Sequence, residues 1–120
     1  MTVLDDRDVA SGADWVGVCE VSALIPDRGV AALVDGHPVA VFLLSDGSVH
    51  AIDNDDPCSG AGVLSRGIVG DVDGVATVAS PLYKQRFELS TGRCLDAEAA
   101  VTVHRARIVD AVVEVRVGDR

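Results

Sequence analysis

Aromatic side chains are scarce in this 120-residue chain: one Trp, one Tyr and two Phe. A core must therefore be filled by valine, alanine and other aliphatics, and that bias toward small and β-branched residues favours strands over helices. Basic residues are also few, 10 Lys and Arg against 19 Asp and Glu, which leaves a formal net charge of −9. So acidic a domain repels phosphate backbones and anionic membranes, which argues against nucleic acid and lipid as partners. It suits solubility or a basic protein surface. No apolar run reaches the length needed to cross a bilayer. The opening Met1-Thr2-Val3-Leu4-Asp5-Asp6-Arg7-Asp8 has no signal-peptide pattern. Cysteine pairs are missing too: Cys19, Cys58 and Cys94 are odd in number, widely spaced and free of any Cys-x-x-Cys. A reducing compartment is their simplest home, so the expected location is cytoplasmic.

What is present is a rhythm of turns. Asp35-Gly36, Asp46-Gly47, Asp73-Gly74 and Thr91-Gly92 each sit between apolar segments. Asp-Gly favours two-residue hairpin turns because both positions tolerate positive φ. Strands are expected at residues 15–19, 29–34, 39–44, 48–52, 75–79, 87–89, 101–103 and 113–117, with a short connector at 20–25. The run Val39-Ala40-Val41-Phe42-Leu43-Leu44 has no polar face, which predicts burial on both sides. Val113-Glu114-Val115-Arg116-Val117 alternates and predicts a half-exposed last strand. The length suits one domain. Residues 1–13 are expected to fray, and 14–118 to form a single all-β domain of stacked small antiparallel sheets, sandwich- or barrel-like.

Two segments break the rhythm, residues 53–66 and 80–86. Both are loops rich in Pro, Gly, Ser and charge, and loops on a rigid β scaffold are where function usually sits. The first contains Asp55-Asp56-Pro57-Cys58-Ser59-Gly60, and the second reads Ser80-Pro81-Leu82-Tyr83-Lys84-Gln85-Arg86. Leu64-Ser65-Arg66-Gly67 closes the first loop, and Phe87-Glu88-Leu89-Ser90-Thr91-Gly92 follows the second. This frame resembles the Rieske iron–sulfur domain over nearly the whole chain. In that family the loops read Cys-Pro-His and Cys-Pro-Leu-His and hold two irons through two thiolates and two imidazoles. The corresponding positions here are Asp56, Cys58, Ser80 and Tyr83, so every ligand type is replaced.

A narrower resemblance is carried by Asn54-Asp55-Asp56-Pro57, Val63-Leu64-Ser65-Arg66-Gly67-Ile68-Val69-Gly70 and the second loop. These look like the small subunit of NAD(P)H-dependent assimilatory nitrite reductase, a family with the Rieske-like fold that commonly lacks the cluster ligands. The resemblance implies an accessory subunit with no cofactor and no catalytic centre of its own. Its partner would be a large subunit bearing FAD, a [4Fe–4S] cluster and sirohaem, which reduces nitrite to ammonium. Cys58 departs from the family, where a non-ligand residue such as Phe is expected.

The donor set supports the same expectation. Asp56 and Cys58 could ligate metal, but Ser80 and Tyr83 must each lose a proton to do so. One thiol among three oxygens is a poor iron–sulfur site. His37, His50 and His104 show no zinc-ligand spacing. Cys58 and Ser80 could be nucleophiles, yet no Cys-His or Ser-His-Asp arrangement is readable from order and spacing. A Cys58–Cys94 disulfide is sterically open but disfavoured in a reducing compartment. Arg66, Lys84 and Arg86 concentrate positive charge near the loops. With Tyr83 and Gln85 they form the expected partner-binding face, or else they balance Asp55 and Asp56 across the loops. Two other readings stay open: a Rieske-type ferredoxin with an atypical cluster, and a stand-alone binding module.

Overall fold

The computed structural model describes residues 15–117; the frayed segment expected at 1–13 lies outside them. Nine strands follow in chain order among the described residues: β1 (Val16–Glu20), β2 (Arg28–Val34), β3 (His37–Leu43), β4 (Val49–Asp53), β5 (Ile68–Val72), β6 (Val75–Ala79), β7 (Arg86–Glu88), β8 (Val103–Val109) and β9 (Val112–Arg116). Single 3₁₀ turns occupy Val21–Ala23 and Leu64–Arg66. Among the described residues no helix is long and apolar enough to cross a membrane.

All pairings are antiparallel. Six strands form one sheet in the order β1-β9-β8-β4-β3-β2, and β5-β6-β7 form a second. Val16 and Val18 of β1 share a core with Val30 of β2, so the two ends of the larger sheet approach each other and it curls into a near-barrel.

β3 organises the interior. Its residues 39–43 are all buried. Val39, Val41 and Leu43 face the barrel core with Val34, Ala51, Val113 and Val115. Ala40 and Phe42 face the opposite way, into a second core with Ile52, Leu64, Val78, Phe87 and Leu89. That second core joins the small sheet and, through Cys58 and Leu64, the first loop to the barrel, as the absence of a polar face on this run predicts.

Two of the three Asp-Gly turns are what the residue types imply, while at Asp46-Gly47 only the glycine takes a positive φ, 90°. Asp35 and Gly36 have φ of 53° and 77°, and Asp73 and Gly74 have 53° and 85°, which is the left-handed pair of a tight hairpin. Two expectations need correcting. The strand expected at 101–103 instead runs Val103–Val109, and pairs β4 and β9. The strand at Ile68–Val72 is an addition, because Gly70 and Asp71 interrupt its apolar pattern on an exposed edge. The β8–β9 turn has no sequence signal either: Asp110 and Ala111 take φ of 52° and 66°, and Ala lacks the signature of a left-handed residue.

That turn generates a prediction. A left-handed alanine costs about 1 kcal/mol more than glycine, so Ala111→Gly should raise the urea-unfolding free energy by about that amount. Gly92→Ala should do the reverse, by about 2 kcal/mol or more. Its φ is +80°, and an added Cβ would collide with the Val101 carbonyl. A neutral Gly92→Ala would show that this turn is not as tight as its geometry.

Candidate functional site

The first loop is held by Asn54, whose side chain is buried and points away from the barrel core. Its Nδ2 donates to the Gly62 carbonyl (3.2 Å), and its Oδ1 accepts from the Ser65 amide (2.8 Å). The Asn54 carbonyl accepts from Leu64 N–H (3.0 Å). The loop is thereby pinched at both ends by one residue. The second loop is a tight turn, in which Ser80 N–H donates to Gln85 O and Lys84 N–H to Ser80 O, both at 2.9 Å. Lys84 sits at φ 65° to make that turn.

The loops lie side by side, and a buried hydrogen bond joins them. Ser80 Oγ donates to Asp56 Oδ2 at 2.6 Å. The other Asp56 oxygen accepts from the Cys58 amide at 2.8 Å, and Ser80 Oγ accepts from Leu82 N–H at 3.3 Å. Asp56 is 0% exposed and Ser80 1%. Three of the four degenerate ligand positions, Asp56, Cys58 and Ser80, thus meet at one spot. Tyr83 takes no part in that bond and stands 62% exposed beside exposed Leu82.

These residues do not fit a Rieske cluster. Asp56 and Ser80 are bonded directly, so the space a pair of irons would bridge is closed. The only sulfur among the four belongs to Cys58, whose thiol pKa is raised by burial, then by the charge of Asp56 and by Cys94. A protonated thiol is neither a ligand nor a nucleophile. Cys58 and Cys94 are both free thiols.

The expected positive face is only partly free. Arg86 makes a bidentate pair with Asp96, Nε to Oδ2 at 3.0 Å and Nη2 to Oδ1 at 2.8 Å, and its backbone N–H donates to Oδ2 as well. Its partner is therefore Asp96 rather than Asp55 or Asp56, and the pair ties the second loop to the hairpin beyond it. Hydrogen bonds from the Arg86 side chain and backbone pull the Asp96 carboxyl down to about 2. Gln85 buries its Oε1 with no hydrogen-bond partner among the described residues. Arg66 closes the first loop in its 3₁₀ turn and lines a groove with Asp27, Arg28 and Ile68. Lys84 and Tyr83 remain as the exposed tip of the second loop.

A further constellation escaped sequence reasoning. His37 Nε2 and His104 Nε2 each lie 2.7 Å from the same atom, Asp53 Oδ1. The ring centroids are 5.2 Å apart and nearly perpendicular. Burial would push the Asp53 carboxyl up, but the two histidine bonds outweigh it and hold it below its ordinary value. His37 and His104 stand 16 and 51 residues from Asp53, on three different strands, so spacing carries no sign of them. The signal that could have found them is strand register.

Two outcomes test this geometry. Ser80→Ala leaves Asp56 buried with one donor fewer and should cost about 1–3 kcal/mol in urea unfolding. A cost near zero would mean that the Asp56–Ser80 bond does not hold the loops. The Asp96 carboxyl lies below the unfolded carboxylate value of about 3.9. Its bond with Arg86 therefore favours the fold above that pH and is lost as pH falls toward about 2. The Asp96 side-chain carboxyl carbon NMR shift should titrate with its midpoint at about 2 and stay flat above that window; a midpoint near the free carboxylate value would mean that the pair does not persist.

Comparison with known proteins agrees with this geometry. The Rieske-like [2Fe-2S] domain family matches residues 14–116. The NADH nitrite reductase small subunit of Salmonella typhimurium is 42% identical over 106 residues, covering 87% of this chain and 98% of that protein. The solution NMR structure of the Escherichia coli protein NirD superposes with a TM-score of 0.82 at 40% identity, covering 89% of this chain and 99% of that one. A third match is 43% identical over 88 residues to the NAD(P)H nitrite reductase large subunit of Klebsiella oxytoca, where it spans 72% of this chain and 9% of that protein. The fold, the replaced ligand positions and these relatives agree: the chain belongs to the Rieske-like domain family and, within it, to the nitrite reductase small subunits.

Proposed function

We propose that this chain is the accessory small subunit of an NAD(P)H-dependent nitrite reductase. It acts in the cytoplasm, carries no cofactor and docks on a large subunit that bears FAD, a [4Fe–4S] cluster and sirohaem. The observation that carries this reading is the buried Ser80–Asp56 bond. It keeps both loops closed and adjacent, as a cluster would, and offers no redox centre in its place. A scaffold maintained without its chemistry presents a surface. The Klebsiella oxytoca relative supports the partner: there a segment like this chain lies within the large-subunit polypeptide itself.

The docking face is the tip of the second loop, with Tyr83, Lys84 and Leu82 exposed and Gln85 and Arg86 next in the loop; Arg66 would add to it from the first loop, where it lines the groove with Asp27 and Arg28. Tyr83 offers contact area together with a directed hydroxyl, the combination that dominates interfaces. Lys84 gives a positive point on an acidic protein and favours an acidic patch on the partner. Arg86 acts here as the brace that fixes the loop through Asp96.

The combined change Tyr83→Ala/Lys84→Glu should weaken binding to the large subunit at least about tenfold, or about 1.4 kcal/mol. Nitrite-dependent NAD(P)H oxidation by the reconstituted pair should fall in parallel. Both positions are exposed, so the thermal midpoint of the isolated chain should not move. Unchanged binding and activity would move the docking surface elsewhere. The chain purified without oxygen should also be colourless, and stoichiometric iron and sulfide with a visible absorption band would favour the ferredoxin reading.

A further inference from the structure

Strand register brings His37, Asp53 and His104 together. Val39 pairs with Asp53, and Ala51 pairs with His104, across neighbouring strands β3, β4 and β8. His37 lies two residues before Val39, and Asp53 two residues after Ala51. In a strand, side chains two apart share a face. All three therefore project on the face that carries Val39, Val41 and Ala51, at one end of the barrel core. Their positions are set by three hydrogen-bonded strands rather than by a loop.

We propose that His37, Asp53 and His104 form a binding site for a divalent ion of the zinc class, with a fourth coordination position open to solvent. Two imidazole nitrogens and one carboxylate oxygen converge, all within 4.8 Å of one another. Imidazole donors select zinc-like transition ions, whereas magnesium and calcium require oxygen. Three protein ligands and one open position make a recurrent zinc arrangement. Bonds of about 2.0–2.1 Å set tetrahedral donors roughly 3.3 Å apart, so opening the 2.7 Å contacts by about 0.6 Å admits the ion. His104 is buried, with 2% of its side chain exposed, while Asp53 at 26% and His37 at 40% leave a path from solvent. The metal-bound rings would carry their proton on Nδ1 and ligate through Nε2. The chain's net charge of −9 enriches cations around it.

The site is distinct from the loop contact and does not depend on the docking proposal. Asp53 and Asn54 are adjacent, but Asn54 turns to the loops and Asp53 to the barrel. An ion here would clamp β3, β4 and β8 just where the first loop begins.

The test uses the untagged full chain, stripped with chelator. Calorimetric titration with Zn²⁺ should show one saturable site per chain, and Co²⁺ should give the visible absorption of tetrahedral coordination. Zn²⁺ should raise the thermal midpoint, while Mg²⁺ should not. His104 is buried and its replacement threatens folding, so the discriminating variant is His37→Ala, whose side chain is the most exposed of the three. It should keep the metal-free midpoint within a few degrees and weaken Zn²⁺ binding at least about tenfold. Asp53→Asn should weaken it as well. Absence of saturable binding to the unaltered chain would overturn the proposal and leave the trio as a hydrogen-bonded network. So would binding of undiminished affinity in His37→Ala.

Discussion

The double-faced burial of β3 is the constraint on which the remaining structure depends. One strand supplies a wall to two cores, with Val39, Val41 and Leu43 on one side and Ala40 and Phe42 on the other. No polar residue can be placed between 39 and 43 without facing one core or the other. A slip of one residue would exchange the two faces. The same parity passes to β4 through the pairs Val39–Asp53 and Ala40–Ile52. It then divides adjacent residues between two jobs: Asp53 turns to the barrel and meets two histidines, and Asn54 turns outward and pinches the first loop. The polar contacts of Asp53 and of Asn54 are both consequences of one strand's alternation.

Where a Rieske domain joins its two loops through iron, this one joins them through a hydroxyl and a carboxylate. The exchange is thermodynamically modest. A buried hydrogen bond contributes far less than metal ligation, and its value lies mainly in the penalty for leaving Asp56 unpaired. Further anchors reinforce it, Asn54 inside the first loop and Arg86–Asp96 outside the second. Gly29 completes the seating, since a Cβ there would press on the Ser65 carbonyl and the Phe42 ring. Loop geometry that in a Rieske domain follows from coordination is here distributed over several ordinary contacts.

Most of the fold was legible because it is written locally. Asp35-Gly36 and Asp73-Gly74 announce left-handed turns by residue type, and the unbroken run around Phe42 announces a strand buried on both faces. What was missed lacks a local sign. Asp110-Ala111 makes the same turn with an alanine, so its chemistry was silent. β8 carries His104, Arg105 and Arg107, and its charged outer face masked a strand whose inner positions are His104 and Ala106. The meeting of Asp56 with Ser80 followed from the family frame. The pairing of Arg86 with Asp96, and of His37 with His104 through Asp53, depends on register and loop path, which no spacing within one segment encodes. Three candidate ligand positions converged, while Tyr83 took the surface, because the second loop closes through its own backbone and turns that side chain out.

Asp56 has a second effect that bears on the residual sulfur. An iron–sulfur ligand or a nucleophilic cysteine needs a thiolate, and thiolates are favoured by neighbouring positive charge. At Cys58 the opposite holds: burial and the Asp56 carboxylate both raise its pKa, and its amide is already given to that carboxylate. After burial, the residue that bonds the two loops together is thus a further influence that raises the pKa of the Cys58 thiol. Replacing Tyr83 or Ser80 alone with a better ligand would leave that field in place. Thiolate chemistry at this spot is opposed by the contact that preserves its shape.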